Sequence, residues 1–215
     1  MDVEGLDMID MNEYIKRVTP FNVTSNVDIK QQIAAACVSA GYSMRTEIAR
    51  EMPDARLIDI ERGGRLGRTP IGNGEDKLLR FINVQFDWEL PRYMWTEVDT
   101  YHFLERNSQS TMHRLINMNL DEVCSPFVTK DNKNTLRLLI TAYNLPNLPE
   151  EEKLEMWLRI KANVPEGLML TSRVSTNYAT LKTIYQQRKN HRNIEWRVFC
   201  DWIKSLPDVK SLGVC

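Results

Sequence analysis

Residues 162–203 read ANVPEGLMLTSRVSTNYATLKTIYQQRKNHRNIEWRVFCDWI. Gly167 breaks the chain, and Leu168–Val174 behind it is a short extended run of strand character. Asn177 is a good capping type, and Asn177–Gln187 reads as the helix it opens. A second helix is expected over Ile194–Leu206, followed by a tail from Val209 to Cys215. The pattern is therefore a strand that runs into a helix, with another helix behind it. Lys182, Arg188, Lys189, His191 and Arg192 make a local basic run, readable as a solvated helix end or as a contact for a cofactor phosphate.

Working back from there, Glu150, Glu151 and Glu152 load the first turn of a helix to about Ala162, where acidic residues suit the helix dipole. Pro146 and Pro149 bracket a turn, Thr135–Tyr143 is apolar enough for helix or strand, and Pro126–Asn134 reads as a loop. Phe81–Leu90 (FINVQFDWEL) alternates, with Ile82, Val84, Phe86 and Trp88 on one side, and predicts a strand. Pro91 stops it and can open a helix over Arg92–Leu104. Glu61–Glu75 (ERGGRLGRTPIGNGE) holds five glycines and reads as a mobile loop. It matches neither phosphate-cradling glycine motif, although Arg62, Arg65 and Arg68 would suit a nucleotide cover. Arg56–Ile60 alternates like a short strand. A first helix is expected over Val27–Met52, opened by Ser25, Asn26 and Asp28 and ended by Pro53. Strands and helices interleave, which predicts a mixed α/β (α+β) chain forming a single domain over 1–215.

Composition narrows the function. Basic and acidic residues nearly cancel, 28 against 29, so neither nucleic acid nor a membrane surface is an expected partner. Cys37, Cys124, Cys200 and Cys215 are far apart, which predicts reduced thiols rather than a zinc site or a disulfide framework. His102, His113 and His191 lack metal-ligand spacing. The acidic start MDVEGLDMIDMNEY has no apolar segment, so no signal peptide is expected and a cytoplasmic location is. The five tryptophans are expected in the core.

Three stretches carry a resemblance. In residues 162–203, Pro165 leads to LTSR ending at Arg173, STNYATL carries Asn177, QQR ends at Arg188, and His191, Glu195 and Arg197 follow. Over Phe86–His113 the chain lines up without a gap with the signature R-H-R-x-x-S-x-N-x-x-S-x-R. Its seven fixed positions fall at Thr100, Tyr101, His102, Glu105, Asn107, Ser110 and Met112, of which Asn107 and Ser110 match. Ala35–Ser39 (AACVS) is similar to a small-residue helix ending in a flavin-contacting serine. On these residues the chain resembles the flavin-dependent thymidylate synthases, as a divergent member with a largely altered signature.

The resemblance implies a thymidylate synthase-complementing-protein-like fold, with helices packed on a mainly antiparallel sheet. It implies methylation of dUMP to dTMP, with methylene-tetrahydrofolate as carbon donor, reduced FAD as hydride source and NADPH as reductant. It also implies a homotetramer with sites between subunits, so that Arg173 and Asn107–Ser110 would come from different chains. No protein nucleophile is required. The implied nucleotide-binding residues are Asn107, Ser108, Gln109, Ser110, Arg173 and Arg197, with Arg114 standing in for the arginine missing at Met112. The segment Glu105–Thr111 is expected to be a turn entering a helix. The implied flavin residues are Ser39, Tyr101, His102, Asn177, Gln186, Arg188 and His191. Ala179 stands where the family often has an arginine. Two alternatives stay open: an enzyme acting on another pyrimidine nucleotide, and a non-catalytic nucleotide-binding or structural homologue. A bacteriophage or bacterial source would suit such a chain.

Overall fold

The computed structural model describes residues 9–25, 28–44, 54–111 and 115–215. In chain order the first elements are α1 (Met11–Arg17), β1 (Phe21–Thr24), α2 (Ile29–Ser39) and α3 (Leu57–Gly67). A 3-10 helix at Glu75–Phe81 leads into β2 (Asn83–Pro91), α4 (Arg92–Val98), β3 (Glu105–Ser108) and the single turn α5 (Leu120–Val123). The last are α6 (Lys130–Tyr143), α7 (Glu150–Ala162), β4 (Met169–Asn177), α8 (Tyr178–Arg188) and α9 (Ile194–Ile203).

The four strands form one antiparallel sheet in the order β1-β2-β4-β3. The two central strands are two of the three read from the sequence, and they pair from Asn83↔Asn177 to Pro91↔Met169. Their alternation sorts the faces. Val84, Phe86, Trp88 and Leu90 are buried on one side, while Asn83, Gln85, Asp87 and Glu89 lie on the other. The buried side meets α9, where Phe199 stacks on Trp88 at 4.2 Å and Trp196 and Trp202 extend the aromatic core. The indole of Trp88 donates to the Val18 carbonyl at 2.8 Å, so the burial leaves no orphaned donor there. Trp157 alone of the five stays half-exposed, with Lys161 over its ring.

Two expectations fail in one place. Arg56–Ile60 is not a strand and Glu61–Gly67 is not a loop: Arg56 is the N-cap of α3 and Leu57–Gly67 are its helix, which leaves only residues 68–74 of the expected loop outside helices. The helix starts with a one-sided cap in which the Asp59 carboxylate accepts from the Arg56 backbone at 3.1 Å and from the Arg56 guanidinium at 3.1 Å. Its buried side is Asp59, Gly63, Gly64 and Gly67, while Leu57 and Ile58 are exposed. The glycines allow contact, not flexibility: a Cβ on Gly63 would come within 2.3 Å of Cys37 Sγ, and one on Gly67 within 2.2 Å of the Leu212 carbonyl. The arginines follow suit. Arg62 pairs with Asp59 at 3.0 Å and Arg68 donates to the Ser211 carbonyl at 2.8 Å. Arg56 and Arg62 hold the Asp59 carboxyl well below the usual carboxylate range.

Lys182 also leaves its expected company. It is buried in α8 and its ammonium donates to the carbonyls of Gly67 (2.9 Å) and Thr69 (2.6 Å) and to Asp76 (2.9 Å). It therefore clasps the end of α3 rather than joining a basic surface. α2 is capped by Asp28 as read but ends at Ser39, short of the expected Met52, with a separate 3-10 turn at Tyr42–Met44; residues 45–53 lie outside the described residues. The helix after Pro91 ends at Val98, short of Leu104. Glu105–Ser108 is a strand, because its backbone completes the β4 ladder from Glu105↔Ser175 to Ser108↔Ser172. α6 absorbs Thr135–Tyr143 and part of the expected loop, with Thr129 as its cap. α6 and α7 pack as a hairpin over a smaller core of Leu115, Leu120, Leu136, Ile160 and Leu168. The tail is not loose: Val209, Leu212 and Val214 are buried in the main core. Cys37, Cys124 and Cys200 are buried, Cys215 is half-buried, and all four are free thiols. Among the described residues no helix is long and apolar enough to cross a membrane.

Candidate functional site

Where β4 ends, the chain turns into α8 through Asn177. This side chain accepts from Thr180 N at 3.0 Å and fixes the first turn. Beside that turn runs the connection from α4 to β3, Thr100–Leu104. Two threonines of β4 and α8 tie it down: Thr180 Oγ1 donates to the His102 carbonyl (3.3 Å) and Thr176 Oγ1 to the Phe103 carbonyl (2.9 Å). Between the two segments lies a cavity of about 350 Å³. Its walls include Arg80, Tyr101, His102, Phe103, Asn177, Thr180, Thr183, Gln187 and Arg188.

Arg188 is the organised charge of this cavity. Its Nε donates to the Tyr101 hydroxyl at 2.7 Å, and that hydroxyl donates to Gln187 Oε1 at 2.9 Å. Its guanidinium lies 5.0 Å from the Trp196 ring centre and 5.6 Å from that of Tyr101, within cation–π reach of both. Glu97 stands 3.5 Å away and also accepts from Trp196 Nε1 (2.7 Å) and Asn193 Nδ2 (3.0 Å). A planar cation with so many fixed partners is preorganised, and rigid forks of this kind suit phosphate and carboxylate. Arg80 faces the same space and makes no ion pair or hydrogen bond among the described residues.

Glu195, next to Trp196, is buried and accepts the hydroxyls of both Tyr14 and Tyr93 on one oxygen. It thereby joins α1, α4 and α9. Burial first, and the Glu195 carboxylate second, push both phenols well above the usual tyrosine range. This carboxylate is a structural tie rather than part of the cavity wall.

The expected flavin residues are largely brought together. Tyr101, His102, Asn177 and Arg188 all line the cavity. Gln186 and His191 line an adjoining hollow with Lys189, Asn190 and Arg192, and Gln187 belongs to both. His191 Nδ1 accepts from the Asn193 backbone at 3.1 Å, which fixes the ring at the start of α9. Ser39 closes α2, its hydroxyl donates to the Ala36 carbonyl, and it lines neither space.

The expected nucleotide residues gather elsewhere, on β3 and β4. Asn107 lies opposite Arg173 in the β3–β4 ladder, on the polar sheet face. Arg173 pairs with Asp87 at 3.2 Å, donates to the Asn22 carbonyl at 2.7 Å, and also meets Thr24 Oγ1. Ser108 is on the opposite face, accepting from Ser172 at 3.3 Å. The Gln109 backbone donates to the Thr171 carbonyl at 3.0 Å, and Ser110 is exposed. Arg197 is exposed on α9; the nearby carboxylates Glu195 and Asp201 are engaged with the two tyrosines and with Lys204. Arg114 and His113 lie outside the described residues.

Thr180, Thr183, Gln187, Glu97 and Arg80 were not singled out in the sequence. Thr180, Thr183 and Gln187 follow Asn177 at intervals of three, three and four, so one helical face holds all of them. That arithmetic would have found them. Glu97 and Arg80 carry no comparable signal.

The architecture has known counterparts. A structure of thymidylate synthase X from Helicobacter pylori with FAD and dUMP is similar at TM-score 0.65 and 14% identity, over 91% of this chain and 96% of that one. A second structure of the flavin-dependent thymidylate synthase of that organism, complexed with FAD and dUMP, gives 0.61 and 15% over the same shares. At such identity the likeness establishes the fold alone. No family model and no curated protein sequence matches the chain.

Proposed function

We propose that the chain is a flavin-dependent thymidylate synthase-like enzyme that binds FAD in the cavity between Tyr101–Phe103 and α8. The observation that carries this is the convergence of Tyr101, His102, Asn177 and Arg188 on one cavity of a fold shared with FAD- and dUMP-bound thymidylate synthases. The donor set fits a flavin nucleotide. Two rings, Tyr101 and Phe103, flank the cavity, Thr183 and Gln187 offer hydrogen-bonding groups, and Arg80 and Arg188 offer guanidinium charge. The cavity sits at the lower end of ligand-pocket sizes, so the adjoining hollow at Gln186, Lys189, His191 and Arg192 would take the rest of a dinucleotide.

Reduced FAD would supply the hydride for methylating dUMP, with methylene-tetrahydrofolate as carbon donor and NADPH as reductant. The residues of the chain would orient and desolvate the reactants rather than attack them. Arg173, Asn107 and Ser110, with Ser108, Gln109, Arg114 and Arg197, are the candidates for dUMP. A phosphate at Arg173 would compete with Asp87 for its guanidinium, so that pair is a built-in counter-charge. A homotetramer is part of the reading, and the exposed Leu57 and Ile58 of α3 are apolar surface for a second copy to cover.

A second reading is favoured by one observation. The turn carries Thr100, Tyr101 and His102 where the family has two arginines, which leaves Arg188 as the fixed cation. That substitution suits an enzyme for another pyrimidine nucleotide, or a non-catalytic nucleotide-binding or structural homologue. Assay of dTMP formation from dUMP with FAD, NADPH and methylene-tetrahydrofolate decides between them. Turnover supports the synthase; flavin binding without turnover supports the second reading.

A further inference from the structure

Four non-glycine residues among those described have positive φ: Asn22, Phe103, Asn147 and Asp208. Asparagine and aspartate tolerate the left-handed region because their short side chains bond locally, whereas an aromatic residue there is strained. Phe103 sits at φ 61° and yet leaves 65% of its surface exposed, so core packing does not compensate the strain. The surroundings impose it. Thr180 and Thr176 hold the carbonyls of His102 and Phe103, and the residue lines the cavity that also contains Arg80 and Arg188. Strain that persists without burial, at a cavity wall, is the pattern of a residue kept for a ligand.

We propose that Phe103 is a specificity-determining residue, held in a strained turn so that its ring forms the stacking face for the planar heterocycle of the bound nucleotide. The proposal rests on the flavin reading and adds to it the choice of a flat, conjugated ring over a phosphate alone.

The test compares wild type, Phe103→Gly and Phe103→Trp in titrations with FAD and with inorganic pyrophosphate, alongside thermal melting and sedimentation. Stacking on an aromatic side chain is worth about tenfold or more in affinity. Phe103→Gly is expected to weaken FAD at least about tenfold, to leave pyrophosphate unchanged, and to melt at or above the wild-type temperature, because glycine relieves the turn. Phe103→Trp is expected to keep the FAD affinity. Equal FAD affinity in wild type and Phe103→Gly, with or without a change in oligomeric state, overturns the proposal and leaves the flavin reading standing. A wild-type protein that takes up no FAD overturns both.

Discussion

Arg188 shows what a single side chain contributes here. Its Nε, its charge and its plane are each fixed by a different neighbour: Tyr101, Glu97 and the face of Trp196. Lysine can replace the charge but not the fork or the stacking. Arg188→Lys is therefore expected to bind FAD about as poorly as Arg188→Ala, each at least about tenfold weaker than wild type, in a flavin-fluorescence titration. Melting temperatures close to wild type would localise the loss to the site. Glu195 is the opposite kind of residue, buried and away from the cavity wall. It accepts two phenols on one oxygen, and in Glu195→Gln the amide group brings donors with no partner. A loss of about 1–3 kcal/mol in urea unfolding is expected, with FAD affinity in the surviving folded protein close to normal.

At the scale of elements, α3 is the part that sequence reasoning misplaced, and the reason is physical. Glycine signals a turn when only local conformation is weighed, but Gly63, Gly64 and Gly67 serve a close approach to Cys37, Ser211 and Leu212, contacts far away in sequence. Tertiary packing overrode propensity, and no local pattern reports that. β2, β4, α7 and α8 were legible because alternation, prolines, acidic first turns and the Asn177 cap are local signals. β3 was not, because its strand character comes from the ladder it makes with β4. The cavity was half legible: Tyr101, His102, Asn177 and Arg188 came from the resemblance, while Arg80 on its wall and Glu97 behind Arg188 needed the fold. Gly67→Ala inverts the usual rule for exposed helices, where alanine gains about 1 kcal/mol. With a Cβ driven against the Leu212 carbonyl, the substitution is expected to destabilise by at least about 2 kcal/mol in urea unfolding. Lys182→Met should do likewise, by about 3 kcal/mol, since it leaves Asp76 and two carbonyls without their ammonium. Adding Asp76→Asn should recover part of that loss.

For the whole molecule, titration of buried groups sets a pH limit. Burial pushes the Cys37 and Cys200 thiols up to about 11, and burial also raises Tyr14, Tyr93 and Tyr178. A group whose pKa rises on folding favours the folded state while it stays protonated in both states. That contribution is complete below the unfolded pKa and is lost as pH climbs toward the folded one. The urea midpoint is expected to stay level to about pH 8 and to fall between about 9 and 11, as the thiols and then the phenols ionise in the unfolded chain. The same core that sets this limit also positions the cavity: the aromatic layer beneath β2 fixes α9, Trp196 fixes Arg188, and Asn177 starts the helix that lines the wall. What that cavity holds decides the function. Titrating purified protein into FAD while following flavin fluorescence tests it most directly. Saturable quenching at one site per chain is expected, weakened at least about tenfold by Arg188→Ala. Flavin fluorescence that stays unchanged up to about 1 mM protein would contradict it.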